Sequence, residues 1–310
     1  MTRTGASAPG KALLCGEYAV LEGAPAVVAA VDRRVRVAWT DEPAAMFPEV
    51  EAALRLAEAE LGTVGRSLRV DASELHQERI KLGLGSSAAA AAAAAGAVFA
   101  SHGLDLADRG TLRRLFECAF GGHASIAPQG SGVDVAASTF GGFLRFEREH
   151  DRVETRALKA PDELHIRLIW TGRAARTSEL VEKVKQLQRN DSHRYQACME
   201  RLVELSARFA SAFEQGNAPN VVAEAAAYCA GMKALGDAAR APILEEGLQR
   251  TAELAAGFSG SAKPCGAGGG DVAIAFFVEL KAANSFALAC KDEGLHPIDV
   301  SWGARGVQPC

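Results

Sequence analysis

Hydrophobic and polar positions along the chain follow two rhythms. In the stretch AVVAAVDRRVRVAW (26–39), Val35, Val37 and Trp39 alternate with Arg34, Arg36 and Ala38, the period of a half-buried strand. The same reading predicts strands over 12–21, 66–75, 140–149, 163–172, 271–280 and 296–302. Helical spacing predicts helices over 43–62, closed by Gly62, and over 109–127, with Thr111 as the N-cap. Further helices are predicted over 177–188, 193–216, 220–235, 241–257 and 282–294. Strands and helices mix in both halves without a clean βαβ repeat, so the expected class is α+β rather than a doubly wound sheet. A polar segment at 149–163, with Pro161 near its end, sets the expected boundary between domains 1–158 and 159–310.

One stretch breaks the rhythm. In KLGLGSSAAAAAAAAGAVFA (81–100), a Gly-Ser loop runs directly into a block of alanines, Ala88 to Ala95. A helix N-terminus carries unpaired N–H groups and a partial positive charge, and glycines ahead of it let an anion approach the backbone. Alanine makes the following helix stable and lets other elements pack close to it. Phosphate binding and an ordinary capped helix after a turn are both compatible with this stretch alone. It is not a Walker A loop, because no lysine stands inside the turn. A second glycine cluster, PCGAGGGDVAIAFF (264–277), precedes an apolar strand and suggests either an anion nest or a sharp turn. A third motif, APGKALLCGEYAVLEG, places Lys11 at a Pro-Gly turn, and GSGVDVAASTFGG places Asp134 in a small, apolar run. A buried carboxylate must be paired or functional, since burying it alone is costly.

Composition narrows the classes. The chain has 34 basic and 38 acidic residues in 310, which argues against a generic nucleic-acid or anionic-membrane surface. The alanine run is too short and too weakly apolar to span a membrane, and the N-terminus lacks the apolar core of a signal peptide. Seven scattered cysteines without a CxxC pair argue against a disulfide framework or a zinc site and suggest a reducing cytoplasm.

Taken together, APGKALLCGEYAVLEG, KLGLGSSAAA and CGAGGGDVAIA resemble, in order and spacing, the three motifs of the GHMP kinase superfamily, and the resemblance covers essentially the whole chain. Within it the chain most resembles the phosphomevalonate kinase branch, through Gly-Glu-Tyr at 16–18, the basic residue before the phosphate loop, GSGVDVAASTFGG, and WTGRAARTSELVEKV. Two positions depart from the family. The usual proline ahead of the phosphate loop is absent, with Arg79, Ile80 and Lys81 near its place. His123 stands where mevalonate kinases carry a magnesium-ligating glutamate, and histidine is a poor ligand for that hard cation.

The resemblance implies an N-terminal domain of the ribosomal-protein-S5-like type and a C-terminal ferredoxin-like domain. It implies ATP and Mg2+ on Gly83, Leu84, Gly85, Ser86, Ser87 and Ala88, with Ser87 as the metal ligand and Lys81 adding charge. Lys11 and Asp134 would be catalytic, and Tyr18, Ser131, Arg176, Gly268, Gly269, Gly270 and Asp271 would meet the acceptor. Arg173, Arg194 and Arg305 are further candidate cations; for these and Arg176 a solvated surface arginine is the alternative, as a surface place is for His193. Arg33 and Arg34 read as the solvent side of a strand. The implied reaction is phosphoryl transfer from ATP to 5-phosphomevalonate, a small phosphorylated acceptor. The alternatives are mevalonate or another alcohol as acceptor, and a catalytically silent sensor. The chain would act as a monomer or homodimer.

Overall fold

The computed structural model describes residues 5–77, 80–150 and 152–310; Arg79, near the missing proline, lies outside the described residues. In chain order the elements begin with β1 (Gly5–Cys15), a short 3-10 turn, β2 (Ala26–Thr40), α1 (Pro48–Leu61) and β3 (Ser67–Asp71). The two-residue strands β4 (His76–Gln77) and β5 (Ile80–Lys81) lead to α2 (Ser86–Ser101), α3 (Arg109–Ile126) and α4 (Val133–Phe140). Then come β6 (Phe143–Glu149), β7 (Arg152–Leu158), β8 (His165–Trp170), α5 (Thr177–Asn190), α6 (Ser192–Glu214) and α7 (Ala218–Ala239). The chain closes with α8 (Glu246–Gly257), β9 (Ser261–Pro264), β10 (Val272–Phe277), α9 (Leu280–Asp292), β11 (His296–Ile298) and β12 (Gln308–Pro309). The class is α+β. Two compact units form, and each is discontinuous: the first holds the chain up to Ala12, Val28–Leu144 and Ser301 onward, the second Leu13–Val27 and Arg145–Val300.

In the first unit β1 pairs antiparallel with β12, Ala6 opposite Pro309, and β2 pairs with β3 from Arg36–Asp71 to Thr40–Ser67. The alanine helix α2 packs among α1, α3 and α4, and every residue from Ala88 to Ala100 is buried. A helix enclosed on all sides has no polar face to keep, and small side chains let its neighbours approach. Gly96 shows how closely: a Cβ there would lie 2.4 Å from Val307 Cγ1.

Three local expectations change. The strand predicted over 12–21 begins instead at Gly5 and stops at Cys15, because Gly16 (φ +114°) and Tyr18 (φ +62°) turn the chain sharply. The cap of α3 is Asp108, whose Oδ2 accepts the Thr111 N–H at 2.7 Å; Thr111 is buried inside the first turn. Arg34 does not point into solvent. Its guanidinium donates to Ser7 Oγ (3.1 Å), Ser7 O (3.0 Å), Arg305 O (2.8 Å) and Gly306 O (2.7 Å), tying the closing segment to β1.

The second unit is built on a four-stranded antiparallel sheet, β11-β8-β10-β9. Strand β10, VAIAFF, is buried at every residue. Its side chains alternate between two covered faces: Phe276 meets Phe209 of α6 edge-on, while Phe277 meets Phe286 of α9 in a core with Leu248, Ile169 and Leu295. Covering both faces explains why the strand reads as a continuous apolar run rather than an alternating one.

Candidate active site

Within the first unit the site is built around a lysine in a strand. Lys11 sits in β1, where all residues are buried, and is itself only 6% exposed. Its backbone N–H donates to Leu84 O at 2.9 Å, so β1 and the Gly-Ser loop meet main chain to main chain. Gly10 makes that possible: a Cβ there would come within 2.9 Å of Leu84 O. The Lys11 stem lies across Gly85, whose own Cβ would be 2.9 Å from Lys11 Cγ. The ammonium is thereby held in one place, 3.4 Å from Asp134 Oδ2.

The loop itself uses buried Leu82 and Leu84 as anchors and turns on Gly83 (φ +72°) and Gly85 (φ +77°), backbone positions that favour glycine. Helix α2 starts at Ser86, and the N–H groups of its first turn have no intrahelical partner. Ser86 and Ser87 are partly exposed there, while Ala88 is already buried. Ser87 Oγ lies 3.3 Å from His123 Nε2 of α3. Lys81 is exposed on β5.

Asp134 occupies the first turn of α4. Ser131 Oγ, one residue ahead of the Gly132 cap, accepts the Val133 N–H at 3.3 Å and so steadies the entry to the helix that carries Asp134. Gly132 (φ +88°) lets the turn press against the Phe120 ring, 2.5 Å from a notional Cβ. The Asp134 side chain is 37% exposed. The first unit thus brings together Lys11, the start of α2, Ser131, Asp134 and His123. Chemically it is a fixed cation beside a helix N-terminus, with a carboxylate open to solvent.

The remaining candidates, apart from Arg305 in the closing segment of the first unit, lie in the second unit. The glycine-rich loop between β9 and β10 passes through positive φ at Gly266, Gly268, Gly269, Gly270 and Asp271. Much of its polar backbone is engaged: Gly269 N–H donates to Ile243 O (2.9 Å), Asp271 N–H to Arg173 O (2.7 Å) and Gly266 N–H to Glu17 Oε1 (3.3 Å). Asp271 Oδ1 accepts the Ala175 N–H at 3.0 Å, so its carboxylate holds the 173–175 segment. Gly268 can only be glycine, since a Cβ would stand 2.2 Å from Ile243 O. Tyr18 donates its hydroxyl to Ala267 O at 2.6 Å, and burial, then nearby Glu17, pushes its ionisation well above the ordinary tyrosine range. Arg176 is largely exposed and bridges Glu179 at the start of α5, and Arg173 lies 3.9 Å from Glu245. Arg194, His193 and Arg305 are exposed as well.

Sequence reading passed over Glu17, Lys263 and Tyr228, all buried in the second unit. Glu17 and Tyr228 left a signal, each a polar side chain in an apolar stretch, whereas Lys263 stands among small and polar residues and left none. Among the described residues, no group of three or more His, Cys, Asp or Glu side chains could hold a metal. None of the seven cysteines is in a disulfide, and Cys118, buried and donating to Glu60 Oε2 at 3.0 Å, has its thiol pushed up to about 12. No helix among the described residues is long and apolar enough to cross a membrane.

The family model for the GHMP kinases N terminal domain matches residues 49–142. A phosphomevalonate kinase of Streptomyces sp. (strain CL190) is 30% identical over 333 aligned residues, spanning 86% of this chain and 88% of that protein. A mevalonate kinase of Methanothermobacter thermautotrophicus is 29% identical over 187 residues, 56% of this chain and 60% of that protein. The solved Streptococcus pneumoniae phosphomevalonate kinase, in complex with phosphomevalonate and AMPPNP, superposes with a TM-score of 0.81 over 96% of this chain and 99% of that one, at 20% identity, which establishes the shared fold. The chain belongs to the GHMP kinases and is a phosphotransferase of that family.

Proposed function

We propose that the chain transfers the γ-phosphoryl group of ATP to 5-phosphomevalonate, giving 5-diphosphomevalonate. The observation that carries the acceptor assignment is the likeness to the Streptomyces phosphomevalonate kinase along nearly the full length of both chains. Phosphoryl transfer asks a protein for positioning and charge stabilisation rather than covalent chemistry. The triphosphate lies on the first turn of α2, against its unpaired N–H groups and the hydroxyls of Ser86 and Ser87. Lys11, immobilised across Gly85, places its charge on the transferred group. Gly268, Gly269 and Gly270 face the acceptor.

Asp134 fits a positioning role. A phosphate monoester is mostly dianionic at neutral pH, with a second pKa near about 6, so it attacks without first losing a proton. The carboxylate 3.4 Å from Lys11 Nζ then aims the ammonium. Magnesium, where bound, would supply neutralising charge on the phosphates. The donors present fit an ion carried in by the nucleotide, because Ser87 offers one hydroxyl and His123 stands beside it in place of a carboxylate.

An alcohol acceptor, mevalonate, is the second reading, favoured by the partial likeness to a mevalonate kinase. ADP release by purified protein with Mg-ATP separates the two. Turnover with 5-phosphomevalonate and not with mevalonate is the expected result. Turnover with mevalonate instead would transfer the chain to the other branch and make Asp134 a base. Nucleotide binding without turnover on either would leave a sensor.

A further inference from the structure

Deep in the second unit Lys263 of β9 and Glu17 form an ion pair whose side chains are 0% and 1% exposed. The contacts around it end on backbone. Lys263 Nζ donates to Glu17 Oε1 and to Pro264 O, the latter at 2.7 Å. The same Oε1 accepts the Gly266 N–H at 3.3 Å, and the neighbouring Tyr18 hydroxyl reaches Ala267 O at 2.6 Å. Glu17 O is itself gripped by the Tyr228 hydroxyl at 2.7 Å, and Tyr228 is fully buried beneath the Lys263 ammonium, 5.8 Å from its ring centre. Three of the four residues 264–267, the entry to the glycine-rich loop, are therefore fastened by one cluster.

We propose that the Glu17–Lys263 pair is a positioning device that sets the entry of the glycine-rich loop, and through it the acceptor-facing glycines, without touching substrate. It rests on the reading that Gly268, Gly269 and Gly270 face the acceptor. A sealed ion pair is a poor way to gain stability, since apolar side chains of similar volume commonly serve as well or better. This pair is also incompletely satisfied: among the described residues Glu17 Oε2 is buried without a partner. What apolar residues cannot do is bind Pro264 O and Gly266 N–H. The turn that presents Glu17 is held in an unfavourable conformation, with Tyr18 at φ +62° and ψ −52°, and such geometry persists where surrounding contacts impose it.

The test compares Glu17→Gln/Lys263→Met with the parent by hydrogen exchange of the 265–270 amides, by affinity for a non-hydrolysable ATP analogue, and by acceptor kinetics. The double change removes both charges together, which keeps the fold within reach. The expected result is faster loop exchange and an acceptor KM raised about tenfold or more, with nucleotide affinity within about threefold. Unchanged exchange and unchanged acceptor KM in a folded double variant would overturn the proposal. Faster exchange with an unchanged acceptor KM would instead overturn the acceptor-facing reading of the loop, and with it the second half of the proposal. Should the double variant fail to fold, Tyr228→Phe, which releases only Glu17 O from the same cluster, repeats the measurement with a smaller expected shift in the same direction.

Discussion

Among the described residues, two lysine–carboxylate pairs have a buried lysine, one in each unit, and they differ in almost everything except chemistry. Lys11 and Asp134 stand 3.4 Å apart, with the lysine side chain 7% exposed and the aspartate 37%. Lys263 and Glu17 are in direct contact and sealed from water. In the open pair the lysine stem is set across Gly85 and its backbone by the bond to Leu84 O, which leaves the carboxylate to act only on the ammonium at its tip. A loose, half-solvated pair leaves room for an incoming anion to take the place of water, and little stability is tied up in it. The closed pair has no such room, and its charges spend their remaining hydrogen bonds on main chain. Position within the fold, not residue type, separates a group that can meet a ligand from one that shapes the backbone meeting it.

The contrast can be broken at either end. The largest expected effect on stability is from Lys263→Met alone, which strands the Glu17 carboxylate in the interior; removing one partner of a buried pair costs about 3–5 kcal/mol. Denaturant unfolding checks this, and a loss no larger than for the double variant would mean the two charges are not coupled. Lys11→Met is expected to lower kcat about 10²–10³-fold, the scale for deleting one preorganised charge at a developing transition state. Its unfolding midpoint should move little, because Asp134 remains solvated. A stability loss matching that of Lys263→Met would erase the distinction between the pairs. Asp134→Asn should be milder than Lys11→Met with a phosphorylated acceptor, below about 10²-fold. A loss well beyond about 10⁴-fold, with nucleotide binding intact, would mean the carboxylate is a general base after all.

The smallest expected effect concerns a carboxylate with no lysine. The Thr111 backbone N–H, then the Thr111 hydroxyl, holds Asp108 below the ordinary carboxylate range. Its capping contribution is therefore present above the ordinary value of 3.8 and is lost as pH falls through the lower folded value. Asp108→Asn should flatten that acid limb of the stability curve without changing activity at neutral pH. An acid limb identical to the parent's would show that the cap is not what titrates there.

Much of this was legible in the residues. The Gly-Ser loop before an alanine block, the lysine after Pro-Gly and the glycine cluster before an apolar strand each report a local backbone need, and local needs leave local patterns. Strand β1 was half missed because GASAPGKALLC is buried throughout and so carries no alternation. Strand β9, with the sequence SAKP, is too short and too polar to stand out. The cap of α3 was misplaced by one turn, since Asp108 and Thr111 are both good cappers and only geometry chooses between them. Glu17 and Lys263 lie 246 positions apart, and no spacing rule can say that two distant charges meet. Arg34 failed for a related reason: its alternation marks the sheet face correctly, but not the closing segment that covers that face.

The dullest-looking stretch has a consequence of its own. Because α2 is walled in from Ala88 to Ala100, each of its methyl groups already occupies the space allotted to it. Low complexity usually signals tolerance, and here it signals the reverse. In a saturation map of the chain, this alanine run should be among the least permissive stretches, refusing valine and leucine through crowding and serine through its unmatched hydroxyl.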